Sequence, residues 1–109
     1  MLDIDDVVRL AGVRRTELVT WIEERWVLPV EDGGRWWFAE IDLARVRLIV
    51  ELNRELDIGP DAMPVVLALL DRANALHRSL RTICAAVGDL PDEQRNAVLA
   101  RLTGEDVAD

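Results

Sequence analysis

A chain of 109 residues, half of them apolar, has room for one domain with a real core and is too hydrophobic to remain disordered. Its formal net charge is −8, and all 13 basic residues are arginine. That balance repels phosphate at long range, which weighs against a nucleic-acid binder unless a local basic patch overrides it, and it suits a basic protein partner.

One cysteine, Cys84, excludes an intramolecular disulfide. No apolar run nears the ~20 residues that span a bilayer. The acidic opening MLDIDD lacks the basic-then-apolar pattern of a signal peptide. These features predict a soluble, cytoplasmic protein with no membrane partner.

DIDDVVRLA at 3–11 predicts a short helix, with Asp3 or Asp5 as cap, Ile4, Val7, Val8 and Leu10 as its apolar face, and Gly12 as its end. RRTELVTWIEERW at 14–26 predicts a second helix, with Leu18, Trp21, Ile22 and Arg25 at helical spacing. Two helices joined by a short Gly-containing turn form a helix-turn-helix.

VLPVEDGGRWWF at 27–38 breaks that period, and Asp32-Gly33-Gly34 signals a hairpin turn. Alternation in the second strand sets Trp36 and Phe38 on one face and Arg35 and Trp37 on the other. Trp36 and Phe38 are expected to pin the hairpin to the core, which leaves Trp37 as a candidate contact.

EIDLARVRLIVELNRELD at 40–57 predicts a third helix, with Ile41, Ala44, Leu48 and Leu52 as its main stripe, widened by Val46, Ile49 and Val50. After Gly59-Pro60, residues 61–87 predict the longest helix, with Asp61 as cap and Pro64 in the first turn. Its apolar residues Ala62, Val66, Leu69, Ala73, Leu76, Leu80, Ile83 and Val87 are spaced 4, 3, 4, 3, 4, 3, 4, a heptad seam. A second stripe of Met63, Leu67 and Leu70 accompanies only the first half. Past Ala73 a single apolar side remains, too long to leave wet.

The simplest cover is the same helix of a second chain, with Val66, Leu69, Ala73, Leu76, Leu80, Ile83 and Val87 in a homodimer interface. The alternative cover is residues 89–104, a short helix opening at Pro91 and closing at Gly104, with Val98, Leu99 and Leu102 on its apolar face. EDVAD at the end reads as a frayed tail. The expected organisation is a winged domain at 1–60, a coiled-coil-like dimerisation helix at 61–88, and a short helix and tail at 89–109.

Catalytic and metal chemistry find no support. His77 and Cys84 sit seven apart, too few ligands for a zinc site, and read as a solvent-facing histidine and a packed cysteine. Ser79 has no neighbouring base, and Gly33-Gly34 lacks the Gly-Lys-Ser/Thr of a phosphate loop. No enzyme, cofactor or metal is expected.

A helix-turn-helix with a hairpin wing and a dimerising helix is also the layout of a winged DNA binder. Its second helix should then be basic on its outer face. That helix opens with Arg14-Arg15 but continues with Glu17, Thr20, Glu23 and Glu24. Residues 1–58 hold 13 acidic and 8 basic residues, a balance of −5 where phosphate would lie.

The layout resembles the MerR-type winged-helix proteins. The stretch WWFAEIDLARVRLIVELNRELDIGPDAMPVVLALLDRANALHRSL is more narrowly similar to the CbpM-type chaperone-modulator family, over roughly residues 3–85. ELDIGPDAMPVVLALLD is its strongest run, and residues 89–109 fall outside it.

The resemblance implies a mostly α, MerR-like winged helix-turn-helix that binds the J-domain of a DnaJ-like co-chaperone and inhibits it. J-domains carry a basic helix face, for which Glu17, Glu23, Glu24 and Asp57 are candidate acidic contacts, with Trp37 as a possible anchor. The rival is a MerR-like DNA-binding transcription regulator. Such regulators carry an Arg-x-x-Arg-Tyr-Tyr-like run in the second helix. With Trp21 at the first Tyr position, the arginine positions fall here on Glu17 and Thr20, which argues against DNA.

Overall fold

The structure is a computed structural model and describes residues 1–104. The chain divides into two compact units, Met1–Leu67 and the stretch from Ala68 onward.

The first unit begins with α1 (Ile4–Ala11), whose start is fixed by a reciprocal cap. Asp3 Oδ1 accepts from the Asp6 amide at 2.8 Å and Asp6 Oδ2 accepts from the Asp3 amide at 3.2 Å, satisfying two otherwise orphan donors. Gly12, at φ 68°, ends the helix in the left-handed region that glycine tolerates. Val7 is fully buried, whereas Leu10 is 40% exposed. Helix α1 packs on both α2 (Arg15–Glu23) and α3 (Glu40–Arg54).

The expected second helix is shorter at its C-terminus than the periodicity predicts. It stops at Glu23, Arg25 turns to φ 64°, and the Trp26 amide donates back to the Trp21 carbonyl at 2.9 Å. That six-to-one bond is a Schellman-type stop. Arg25 is therefore a turn residue and not part of the helix face.

The wing is a two-stranded antiparallel hairpin, β1 (Val30–Asp32) and β2 (Arg35–Trp37), paired Val30↔Trp37, Glu31↔Trp36 and Asp32↔Arg35. Gly33 and Gly34 both have positive φ, as a type I′ turn requires. Just past β2, Phe38 exchanges both backbone hydrogen bonds with Leu2, at 2.7 and 2.8 Å, and its ring is fully buried. Burial of a ring of that size contributes ~1.5–3 kcal/mol. Phe38 thus pins the hairpin as expected. Trp36 does not join it in the core and is only half-buried.

Helix α3 buries Leu52 of the expected main stripe and Val46 and Ile49 of its widening, and adds Leu43 where Ile41 was expected. Leu43, Val46, Ile49 and Leu52 are buried, while Ile41 is 77% exposed. Leu43 and Ile41 are both apolar, and the chain entry decides between them. Phe38 is anchored by Leu2, the helix starts two residues later, and Asp42 Oδ2 accepts from the Ala39 amide at 2.8 Å to set its direction. Arg54 Nη1 donates to the Gly12 carbonyl at 2.9 Å, tying the far end of α3 to the turn after α1. Helix α3 ends at Arg54, short of the expected 57. Asp57 sits at φ 58° while the Ile58 amide donates to the Leu52 carbonyl at 3.0 Å.

Met63 and Leu67, in the first turns of α4 (Met63–Gly88), are buried within the first unit. Pro64 lies in the first turn, but Asp61 makes no capping bond and occupies the turn before the helix.

In the second unit the seam residues Leu69, Leu76, Leu80 and Ile83 are all exposed. Helix α5 (Asp92–Thr103) starts after Pro91 and is closed by Gly104 at φ 77°. It does not cover the ridge. Its own Leu99 and Leu102 stay exposed too, so the expected narrow apolar face is not buried. Cys84 is exposed rather than packed. The EDVAD segment, expected to fray, lies outside the described residues. Among the described residues no helix is long and apolar enough to cross a membrane.

Candidate functional site

Glu17, Thr20 and Trp21 of α2 and its C-cap Glu24 fall at i, i+3, i+4 and i+7, one continuous face. That face forms one wall of a groove of about 390 Å³, completed by Trp26, Asn53, Pro60, Asp61 and Met63. Each element reaches it for a local reason. The left-handed turn at Arg25 folds Trp26 back, so that its ring stacks on Trp21 with centroids 6.4 Å apart and planes 30° apart. Asn53, at the end of α3, donates through Nδ2 to the Ile58 carbonyl at 3.0 Å and so holds the loop that brings up Pro60 and Asp61.

Among the described residues that line the groove, three are carboxylates and none is a cation. They differ in state. Glu17 is engaged: Arg14 Nε donates to its Oε1 at 2.9 Å and Arg54 Nη2 lies 3.8 Å away. The Arg14 side-chain hydrogen bond holds the Glu17 carboxyl below the usual carboxylate range, with the Arg14 amide and the charges of Arg14 and Arg54 adding to it and partial burial opposing. Glu24 and Asp61 have no ion pair or hydrogen bond through their side chains among the described residues.

Of the predicted contact residues, the fold brings Glu17 and Glu24 together in this groove. Glu23 is exposed on the last turn of α2, and Asp57 is exposed in the turn after α3. Trp37 is half-buried on β2 opposite Val30. None of these three lines the groove. Sequence reasoning missed Trp26, Asn53 and Asp61. The i, i+3, i+4, i+7 pattern of Glu17, Thr20, Trp21 and Glu24 was the available signal for the α2 wall. The return of Trp26 depends on a non-glycine left-handed turn that nothing in the sequence marks.

The two arginines that could have served a phosphate backbone are both paired. Arg14 meets Glu17, and Arg15 Nη1 meets Asp5 Oδ1 at 2.6 Å. No group of three or more His, Cys, Asp or Glu side chains suited to a metal ion occurs among the described residues.

A helix-turn-helix, a hairpin wing and a long following helix define the class as a winged helix-turn-helix protein. Residues 2–84 match the MerR HTH family of regulatory proteins, and the chain belongs to that family. It is also similar to the chaperone modulatory protein CbpM of Coxiella burnetii. In strains Dugway 5J108-111, RSA 331 / Henzerling II and CbuG_Q212 it is 28% identical over 83 residues, covering 75% of this chain and 78% of the relative. No solved structure matches the chain significantly. The family and these relatives are named for regulation and modulation, which are non-enzymatic kinds of function.

Proposed function

We propose that this chain is a chaperone modulator that binds the J-domain of a DnaJ-like co-chaperone and inhibits it, acting from the cytoplasm. The observation that carries the reading is the sign of the charge on a scaffold of DNA-binding type. Helix α2 and its C-cap carry Glu17, Glu23 and Glu24, and both arginines that open the helix are held in ion pairs. A surface of that sign repels phosphate and attracts the basic helix face that the family resemblance implies for a J-domain. The likeness to chaperone modulatory protein CbpM supports the same direction. In this reading Glu17, Glu23, Glu24 and Asp57 supply the acidic field, and Trp37, half-exposed on the wing, is a possible anchor.

The reading includes a homodimer. Leu69, Leu76, Leu80 and Ile83 are exposed in the single chain, and with Val66, Ala73 and Val87 they form a heptad seam that a second α4 would bury.

Titration of the purified J-domain by calorimetry tests the function. Micromolar or tighter binding that weakens with added salt is expected, and absence of binding at about 100 µM overturns it. Membership of a family of regulatory proteins favours one second reading, a DNA-binding transcription regulator. A gel-shift titration with competitor DNA separates the two, since tight, salt-sensitive DNA binding supports the regulator.

A further inference from the structure

We propose that the groove between α2 and the turn before α4 is a socket for a single cationic side chain, an arginine in the best case, projecting from the basic face of the J-domain. The inference rests on the reading above and adds the place of docking.

The walls and the rim ask for different halves of the same ligand. Trp21 and Trp26 stack on each other and line the groove with the small apolar edges that stay exposed, 7% and 8% of each residue. Glu24 and Asp61 stand at it as carboxylates without an ion-pair partner among the described residues. A long aliphatic stem ending in a delocalised cation satisfies both. Its methylenes lie along the exposed indole edges, and its donors reach carboxylate.

Two further acceptors are at hand. Thr20 Oγ1 donates to the Thr16 carbonyl at 3.0 Å, which leaves its lone pairs available. Asn53 has Nδ2 committed to Ile58, which leaves Oδ1 as an acceptor.

An anionic ligand is repelled by this rim. A whole helix does not fit about 390 Å³, a volume at the small end of the ~300–1,000 Å³ range for ligand pockets. Glu17 already pairs with Arg14 and Arg54, so it adds to the acidic field while Glu24 and Asp61 are the counter-ions in the groove.

The test compares two full-length variants that each remove two negative charges. Glu24→Gln with Asp61→Asn empties the rim, and Glu31→Gln with Asp32→Asn removes the same charge from the wing. J-domain affinity is measured for both by calorimetry, with circular dichroism confirming equal folding.

The expected result is a loss of about tenfold or more for the rim variant against less than about twofold for the wing variant. Equal affinity of the rim variant and the unmodified protein overturns the socket and leaves the J-domain reading standing. Failure of the unmodified protein to bind the J-domain overturns both.

Discussion

Trp21 and Trp26 stack across the end of a helix: Trp21 is its third-last residue, and Trp26 has already left it. The contact holds the C-terminus of α2 and builds the groove wall at once. Both rings are buried to within a few per cent of completeness, at 7% and 8% exposure. Trp26→Ala removes a large buried ring and leaves a void that the rigid α2 end cannot fill. A loss of about 3–5 kcal/mol is expected by urea denaturation, a large part of the stability of a small domain. A loss below about 1 kcal/mol would mean that the groove wall collapses freely.

The stack is reached through Arg25 at φ 64°, where a side chain with a Cβ is strained. Glycine there removes the strain but adds freedom to the unfolded chain, so the two effects partly cancel. Arg25→Gly is expected to raise stability by up to about 1 kcal/mol relative to Arg25→Ala. The midpoint of urea unfolding decides it, and an alanine variant at least as stable as the glycine variant contradicts the strain.

The winged layout was legible in the sequence because each of its boundaries carries local chemistry. Asp3 caps, Gly12 stops, Gly33-Gly34 turns, and Pro91 and Gly104 bracket α5. The inward face of α3 was legible in part: Val46, Ile49 and Leu52 were expected in it, but that Leu43 and not Ile41 is buried was not, because both are equally apolar and the Leu2–Phe38 bridge sets the choice. Half of the groove could be read from the α2 periodicity. The rest comes from turns whose residues, Arg25 and Asp57, carry no glycine signal. The inward face has a direct check. Ile49→Ala is expected to cost about 2–5 kcal/mol, and Ile41→Ser to stay within about 0.5 kcal/mol of the parent. Comparable losses at the two positions would return Ile41 to the buried face, as the sequence suggested.

Glu17 links α2 to Arg14 and Arg54, and its folded pKa lies below the ordinary value of 4.5. A depressed carboxylate stabilises the fold fully above its unfolded pKa, and that contribution disappears as pH falls through the lower, folded value. The expected loss therefore lies in the acid region beneath pH 4.5 and is absent at neutrality. The carboxylate is about a quarter exposed and Arg14 mostly so, which keeps the effect to about 1 kcal/mol or less. In Glu17→Gln the acid limb of the stability profile should flatten. An unchanged acid limb in the variant assigns the acid sensitivity to other carboxylates.

The proposed seam on α4 is open to an equally direct measurement. Leu76 and Leu80 are exposed at 68% and 54% in the single chain, and burial of each by a second copy would contribute ~1.5–3 kcal/mol. A charge placed at either position has no counter-ion in an apolar seam, so Leu76→Glu with Leu80→Glu should shift the species seen in sedimentation equilibrium from dimer to monomer. All four tryptophans lie in the first unit, at 21, 26, 36 and 37, and report on it alone. Their near-ultraviolet circular dichroism should be unchanged in the variant, which separates loss of pairing from loss of folding. If the unmodified protein already sediments as a monomer at about 100 µM, a concentration at which several buried leucines would hold a coiled coil together, the ridge is not a homodimer seam.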